Sequence, residues 1–264
     1  MATTERIRWI GFDMDECIGS VMPLYWLLSN MPGMVLKDNK YSVSLVRYHI
    51  LKTLFQSESS RRTWLMRSSM FPVLHGVFKA YEQNQIQGAF VFSNNGSQEL
   101  VDFIGLFLNA CMWQLFDMNN AKPMIFQMAC CSQSPEREGY GYVKNFEVIQ
   151  KSLLQNGLPP CSSKNDLLFF DDSVHELTKE IPNYVQVPAY FHLTDITSFS
   201  NALSPLSLYF NSYDWSYIVS QSKHMFERDM ARPDNRYIAK PQPIEESLRD
   251  TKVFMNGLNA FLNS

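Results

Sequence analysis

Four carboxylates, one hydroxyl and one lysine carry the chemistry that can be read from the residues. Asp13 and Asp15 stand one residue apart in FDMDECIGS, Ser93 opens SNNG, Lys144 lies in YVKNFEV, and Asp171 and Asp172 close LLFFDDS. Carboxylates grouped together repel one another unless a cation neutralises them. All-oxygen ligands with open positions suit Mg²⁺, which keeps several waters and a substrate phosphate. In such a set one carboxylate can attack phosphorus to form an aspartyl-phosphate, while a second protonates the leaving alcohol and later takes a proton from water. If the backbone between Asp13 and Asp15 stays extended, their side chains point roughly alike and the two tasks can be divided. The Ser93 hydroxyl and the amides behind it, Asn94 among them, can bind phosphate oxygens at a helix N-terminus. Lys144 can balance the charge of the nucleophile and the phosphate. Lys122, Lys151 and Lys164 are rival candidates for that role.

These residues have to be brought to one place, and the pattern around them says how. Short apolar runs precede or separate them: Ile7 to Phe12, Gly88 to Phe92, Pro123 to Met128, Leu167 to Phe170 and Tyr184 to Val187. Apolar on both faces and separated by helix-like stretches, they read as buried strands of a parallel sheet. GSQELVDFIGLFLNA, VKNFEVIQKSLLQNG and SVHELTKEI show helical spacing, the second ending in the Asn-Gly expected just past a helix, and Lys144 is expected at that helix's start. The alternation predicts an α/β fold with a doubly wound, mainly parallel, Rossmann-like sheet and right-handed crossovers. In such sheets ligands sit beyond the carboxyl ends of the strands, where Asp13, Asp15, Ser93, Asp171 and Asp172 fall.

FDMDECIG, VFSNNGS, Lys144 ahead of a helix and LLFFDDS resemble the four ordered motifs of the haloacid dehalogenase (HAD) superfamily, over about residues 7 to 190. The resemblance implies a core of residues 1–19 and 70–191, with 20–69 as a small helical, cap-like insertion; VSLVRYHILKTLFQ within it has helical periodicity. Residues 192–264 form a C-terminal accessory segment expected to pack on the core. The resemblance further implies that Asp13 is nucleophile and Mg²⁺ ligand, and that Asp15 is general acid and base with its backbone carbonyl on the metal. Ser93 and Lys144 would hold the phosphoryl group, Asp172 would bind the metal directly, and Asp171 would be a water-mediated or alternative ligand. A carboxylate at position 15 favours a phosphatase over a dehalogenase or a P-type ATPase. Cys17 departs from the Thr or Val usual there. DMDEC with DDS is also similar to the motifs of phosphatases acting on the C-terminal domain of RNA polymerase II, although the insertion here reads as helical rather than β-rich. The expected substrate is a small phosphorylated molecule. The alternatives are a phosphoserine or phosphothreonine phosphatase of proteins, and a HAD-fold binding protein without turnover.

Composition limits the other classes. The 264 residues are 45% hydrophobic and 19% charged, as in a folded globular chain, and the formal net charge is −3. No Lys/Arg block supplies the basic footprint of a nucleic-acid binder. No apolar run approaches a membrane span and no targeting signal is visible, so an intracellular protein, cytoplasmic or nuclear, is expected. The five cysteines form no CxxC pair and read as buried reduced thiols, and a Cys17 nucleophile is disfavoured because neighbouring carboxylates oppose its thiolate. Glu16 reads as a solvated residue at the hinge of the insertion. The five histidines lack ligand spacing. The aromatic stretch with Tyr209, Phe210, Tyr213, Trp215 and Tyr217 reads as packing on the core rather than as a base-stacking surface, because few basic residues interleave with it.

Overall fold

The computed structural model describes residues 6–21, 24–25, 66–115, 123–139, 142–175, 177–192, 204–209, 212–238, 240 and 242–264. The expected helix VSLVRYHILKTLFQ, and with it most of the 20–69 insertion, lies outside these. Five parallel strands form one sheet: β1 (Trp9–Phe12), β2 (Gly88–Phe92), β3 (Phe126–Cys130), β4 (Leu167–Asp171) and β5 (Asn183–Gln186), in the order β3-β2-β1-β4-β5. Among the described residues the helices are α1 (Met70–Glu82), α2 (Gln98–Leu115), α3 (Phe146–Gln155), α4 (Leu177–Glu180), α5 (Ser212–Met230) and α6 (Ile244–Leu262). The fold is α/β, Rossmann-like, with helices on both faces of the sheet. The chain runs outward from β1 through β2 to β3, then crosses back to β4, so the winding reverses between β1 and β4.

The strands are apolar in both directions because both faces are covered. On one face Trp9, Phe90, Phe92, Met128, Leu167 and Phe169 join Val148, Ile149 and Leu153 of α3 and Leu177 of α4 in one buried cluster. The other face carries Phe12 and Phe170, stacked at 5.1 Å, with Phe254 of α6 against Phe170 at 5.0 Å. Gly11 is required by the first packing: a Cβ there would lie 2.4 Å from the Phe169 ring and 2.6 Å from that of Phe90. At Gly257 of α6 a Cβ would come within 2.6 Å of Val185, so that helix can lie close on β5 only with glycine there.

Three local expectations are corrected. The third strand begins at Phe126, three residues later than the apolar run suggests, and reaches Cys130. Its register slips by one residue beside Ala89 and Phe90, so the two-residue alternation breaks inside the run. SVHELTKEI yields only the four-residue α4, because residues 172–175 are taken up in a turn that returns onto Asp171. The segment after residue 191 is divided. Ile244–Ser264 belongs to the same unit as the sheet, and Phe191–Pro243 groups with Gly19–Ser68. Within that second unit α5 runs for 19 residues, Tyr217 is exposed, and Phe191 meets Tyr237 edge-on at 6.0 Å. The side chains of Tyr209, Phe210 and Tyr213 lie outside the described residues. All five cysteines are buried free thiols. No described helix is long and apolar enough to cross a membrane.

Candidate active site

The reversal point places the ends of β1 and β4 side by side. The Asp13 amide donates to the Phe170 carbonyl at 2.8 Å, continuing the ladder one step past β1. This sets Asp13 beside Asp171, and both are buried. Lys144 Nζ lies between them, 2.5 Å from Asp13 Oδ1 and 2.9 Å from Asp171 Oδ2. The lysine belongs to the loop before α3 and not to the helix. Asn145 is the N-cap, extended at φ −139°, and its Oδ1 accepts from the Val148 amide at 2.9 Å. The Lys144 carbonyl in turn accepts from the Leu177 amide at 3.2 Å, fixing the loop against α4. Of its rivals, Lys151 sits within α3, Lys164 is exposed ahead of β4 at the opposite end of the sheet, and Lys122 lies outside the described residues.

Asp172 completes the acidic group: Asp13, Asp171 and Asp172 each offer an oxygen within 4.8 Å of the others. The two neighbours are differently engaged. Asp171 accepts from Lys144 and, at 3.0 Å, from the Ser173 amide, and its Oδ2 is 3.4 Å from His175 Nε2. Asp172 is half-buried, and its Oδ2 accepts only the Ser173 hydroxyl among the described residues, at 3.1 Å. Asp15 is separate from this trio and faces the β2 loop, where Asn95 Nδ2 donates to its Oδ2 at 3.2 Å.

Ser93 follows β2 and is buried, and its hydroxyl accepts from the Asn95 amide at 3.0 Å. It does not sit at the helix start. Asn95 Oδ1 accepts from the Ser97 amide and Ser97 Oγ from the Leu100 amide, so an Asx turn occupies the gap and Ser97 caps α2. The turn from Asp13 to Ile18 is closed by the Ile18 amide on the Met14 carbonyl and needs the left-handed conformation of Glu16, φ 61°. The Glu16 carbonyl accepts from the Tyr190 amide. Cys17 has a definite place: its buried thiol donates to the Phe170 carbonyl at 3.5 Å.

Four carboxylates face a single nearby ammonium, and their affinities for protons follow. Burial, with Asp171 and Asp15 close by, pushes the Asp13 carboxyl up to about 8 even though Lys144 pulls it down. Burial also raises Asp15, with its bonds to Asn95 and Ser93 opposing, and lifts Asp172 to about 6 with help from Asp171 and Glu16. Lys144 is desolvated, but Asp13 and Asp171 outweigh this and hold it charged. The surplus of negative charge fits a divalent cation bound by oxygen. Asp13, with only Oδ1 on Lys144, and Asp172 have the least engaged oxygens for it, while both Asp171 oxygens are taken, Oδ2 by Lys144 and Oδ1 by the Ser173 amide.

Three residues here carry no signal readable from sequence. Arg137 is buried beneath the β2 loop, and His175 reaches Asp171 only because the 172–175 turn folds back. Asn95 looks like an ordinary turn residue until its amide is seen on Asp15. Against protein-family models, curated proteins and solved structures, the chain finds no match.

Proposed function

We propose that this chain is a Mg²⁺-dependent phosphomonoester hydrolase of the HAD type, working through an aspartyl-phosphate on Asp13 and acting on a small phosphorylated molecule. The observation that carries the reading is Lys144 bridging Asp13 and Asp171 at the winding reversal, with Asp172 completing the carboxylate trio and Asp15 held apart toward Asn95. Unpaired carboxylate charge buried beside one lysine is costly unless something neutralises it, and a bound cation would.

Asp13, Asp172 and the Asp15 carbonyl would hold the metal, with Asp171 supporting them from behind; the bound cation would neutralise the carboxylates and the phosphate charge. With Asp13 Oδ1 on Lys144, Oδ2 attacks phosphorus and the bond from phosphorus to the leaving oxygen breaks. Asp15, whose affinity for a proton is raised by burial, gives a proton to that oxygen. The Asp15 carboxylate then takes a proton from water, whose oxygen bonds to phosphorus as the acyl-phosphate bond breaks. Inorganic phosphate leaves and Asp13 is restored. The Ser93 hydroxyl and the Asn94 amide bind the non-bridging oxygens of the transferring phosphoryl group. Hydrolysis of an aryl phosphate should depend on Mg²⁺, stop in EDTA and be absent in Asp13→Asn. Equal rates with EDTA or in that variant would sink the proposal. A screen of phosphorylated metabolites, nucleotides and phosphopeptides separates the small-molecule reading from a protein phosphatase.

A further inference from the structure

Arg137 lies in the turn between β3 and α3, and nothing in its sequence context marks it. The turn is built for it: the Cys131 amide donates to Ser134 Oγ at 2.8 Å, and the Arg137 amide to the Ser134 carbonyl at 2.8 Å. Its side chain is 1% exposed and covers the Phe92 ring, with 4.4 Å from the guanidinium carbon to the ring centroid. Phe92 is the last residue of β2, so the guanidinium is seated directly under the start of the Ser93 loop.

The acceptors it uses belong to two different loops. Nη1 donates to the Ser93 carbonyl at 2.6 Å and Nη2 to Asn94 Oδ1 at 2.8 Å; Nη2 also donates to the Val143 carbonyl at 3.1 Å. One planar group therefore ties the hydroxyl loop to the residue immediately before Lys144. Such a span needs a rigid fork with several donors, which Arg has and Lys lacks. The fork also brings a second positive charge close to a site crowded with carboxylates.

We infer that Arg137 is a positioning residue that sets the spacing between Ser93–Asn94 and Lys144, and thereby the grip on the transferring phosphoryl group. This rests on the hydrolase reading above. It does not touch substrate, since it is buried and its Nη donors are taken by Ser93, Asn94 and Val143.

The test compares wild type with Arg137→Lys, which keeps the charge and loses the fork, and with Arg137→Ala in the presence and absence of ethylguanidinium. The readouts are kcat and KM for an aryl phosphate, inhibition by inorganic phosphate, Mg²⁺ half-activation and melting temperature. Misplacing two binding loops should lower kcat/KM about 10- to 100-fold in Arg137→Lys, with phosphate inhibition weakened and Mg²⁺ half-activation unchanged. Ethylguanidinium should restore part of the Arg137→Ala activity. Phosphate inhibition and kcat/KM within about twofold of wild type in a folded Arg137→Lys would overturn the inference alone, as would a loss in which phosphate and Mg²⁺ affinities fall together with melting temperature. A wild type with neither turnover nor phosphate binding would overturn the inference and the hydrolase reading together.

Discussion

At the scale of single residues, the buried carboxylates cost the fold stability, and pH exposes the cost. In the folded chain without metal Asp13 titrates at about 8, against 3.8 for an ordinary aspartate. Between those values the folded chain holds a proton that the unfolded chain has released. Stability contributed by this group therefore falls as pH rises through that window, and the effect vanishes below it. Asp172, raised to about 6, adds a smaller effect of the same sign. A bound cation replaces the proton, so Mg²⁺ should raise the melting temperature more at pH 8 than at pH 6; an equal gain at both would contradict the reading. Asp13→Asn should abolish turnover by at least about 10³-fold, as loss of a nucleophile does. Asp172→Asn should instead act first on the Mg²⁺ concentration needed for half-activation. The residues proposed to do chemistry were legible because each stands just beyond an apolar run or, for Lys144, just ahead of a helix. Arg137 and His175 were not, because their meaning comes from a turn that folds back and not from any neighbour in sequence.

At the scale of elements, two local devices hold the frame. β3 is an edge strand, and buried Asn109 of α2 fastens its start: Oδ1 accepts from the Ile125 and Phe126 amides at 2.9 and 3.0 Å, and Nδ2 donates to the Phe126 carbonyl at 2.9 Å. Asn109→Ala orphans these groups and should cost about 2–3 kcal/mol in urea unfolding. Glu16 is the opposite case. Its left-handed backbone is unfavourable for a residue with a side chain, so Glu16→Gly should stabilise the fold by up to about 1 kcal/mol while leaving the turn in place. The same experiment asks whether the Glu16 side chain matters to turnover. Strand existence and order of type were readable from the runs. The start of β3 was not, since a register slip is a two-strand property, and the shortness of α4 was hidden by a helical pattern that the returning turn overrides.

At the scale of the whole molecule, the core unit closes on its last helix. Phe254 covers Phe170, Gly257 meets Val185, and Leu258 fills the space beside Gly76 of α1, where a Cβ would come within 2.4 Å of it. Ending the chain at Pro243 strips this face, and the shortened protein should lack a cooperative unfolding transition; a normal transition would show that α6 is dispensable. The fold class was readable in the alternation of strands and helices, whereas the split of the last seventy-odd residues between two units was not, since a helical pattern does not say which unit its apolar face packs on. The order in which the parts arrive has a consequence of its own. The carboxylates, the hydroxyl and the lysine are all synthesised by residue 172, yet the helix that covers Phe170 begins only at Ile244. A nascent chain thus carries all of these residues on an unfinished scaffold, and the core unit can close only after α6 has emerged.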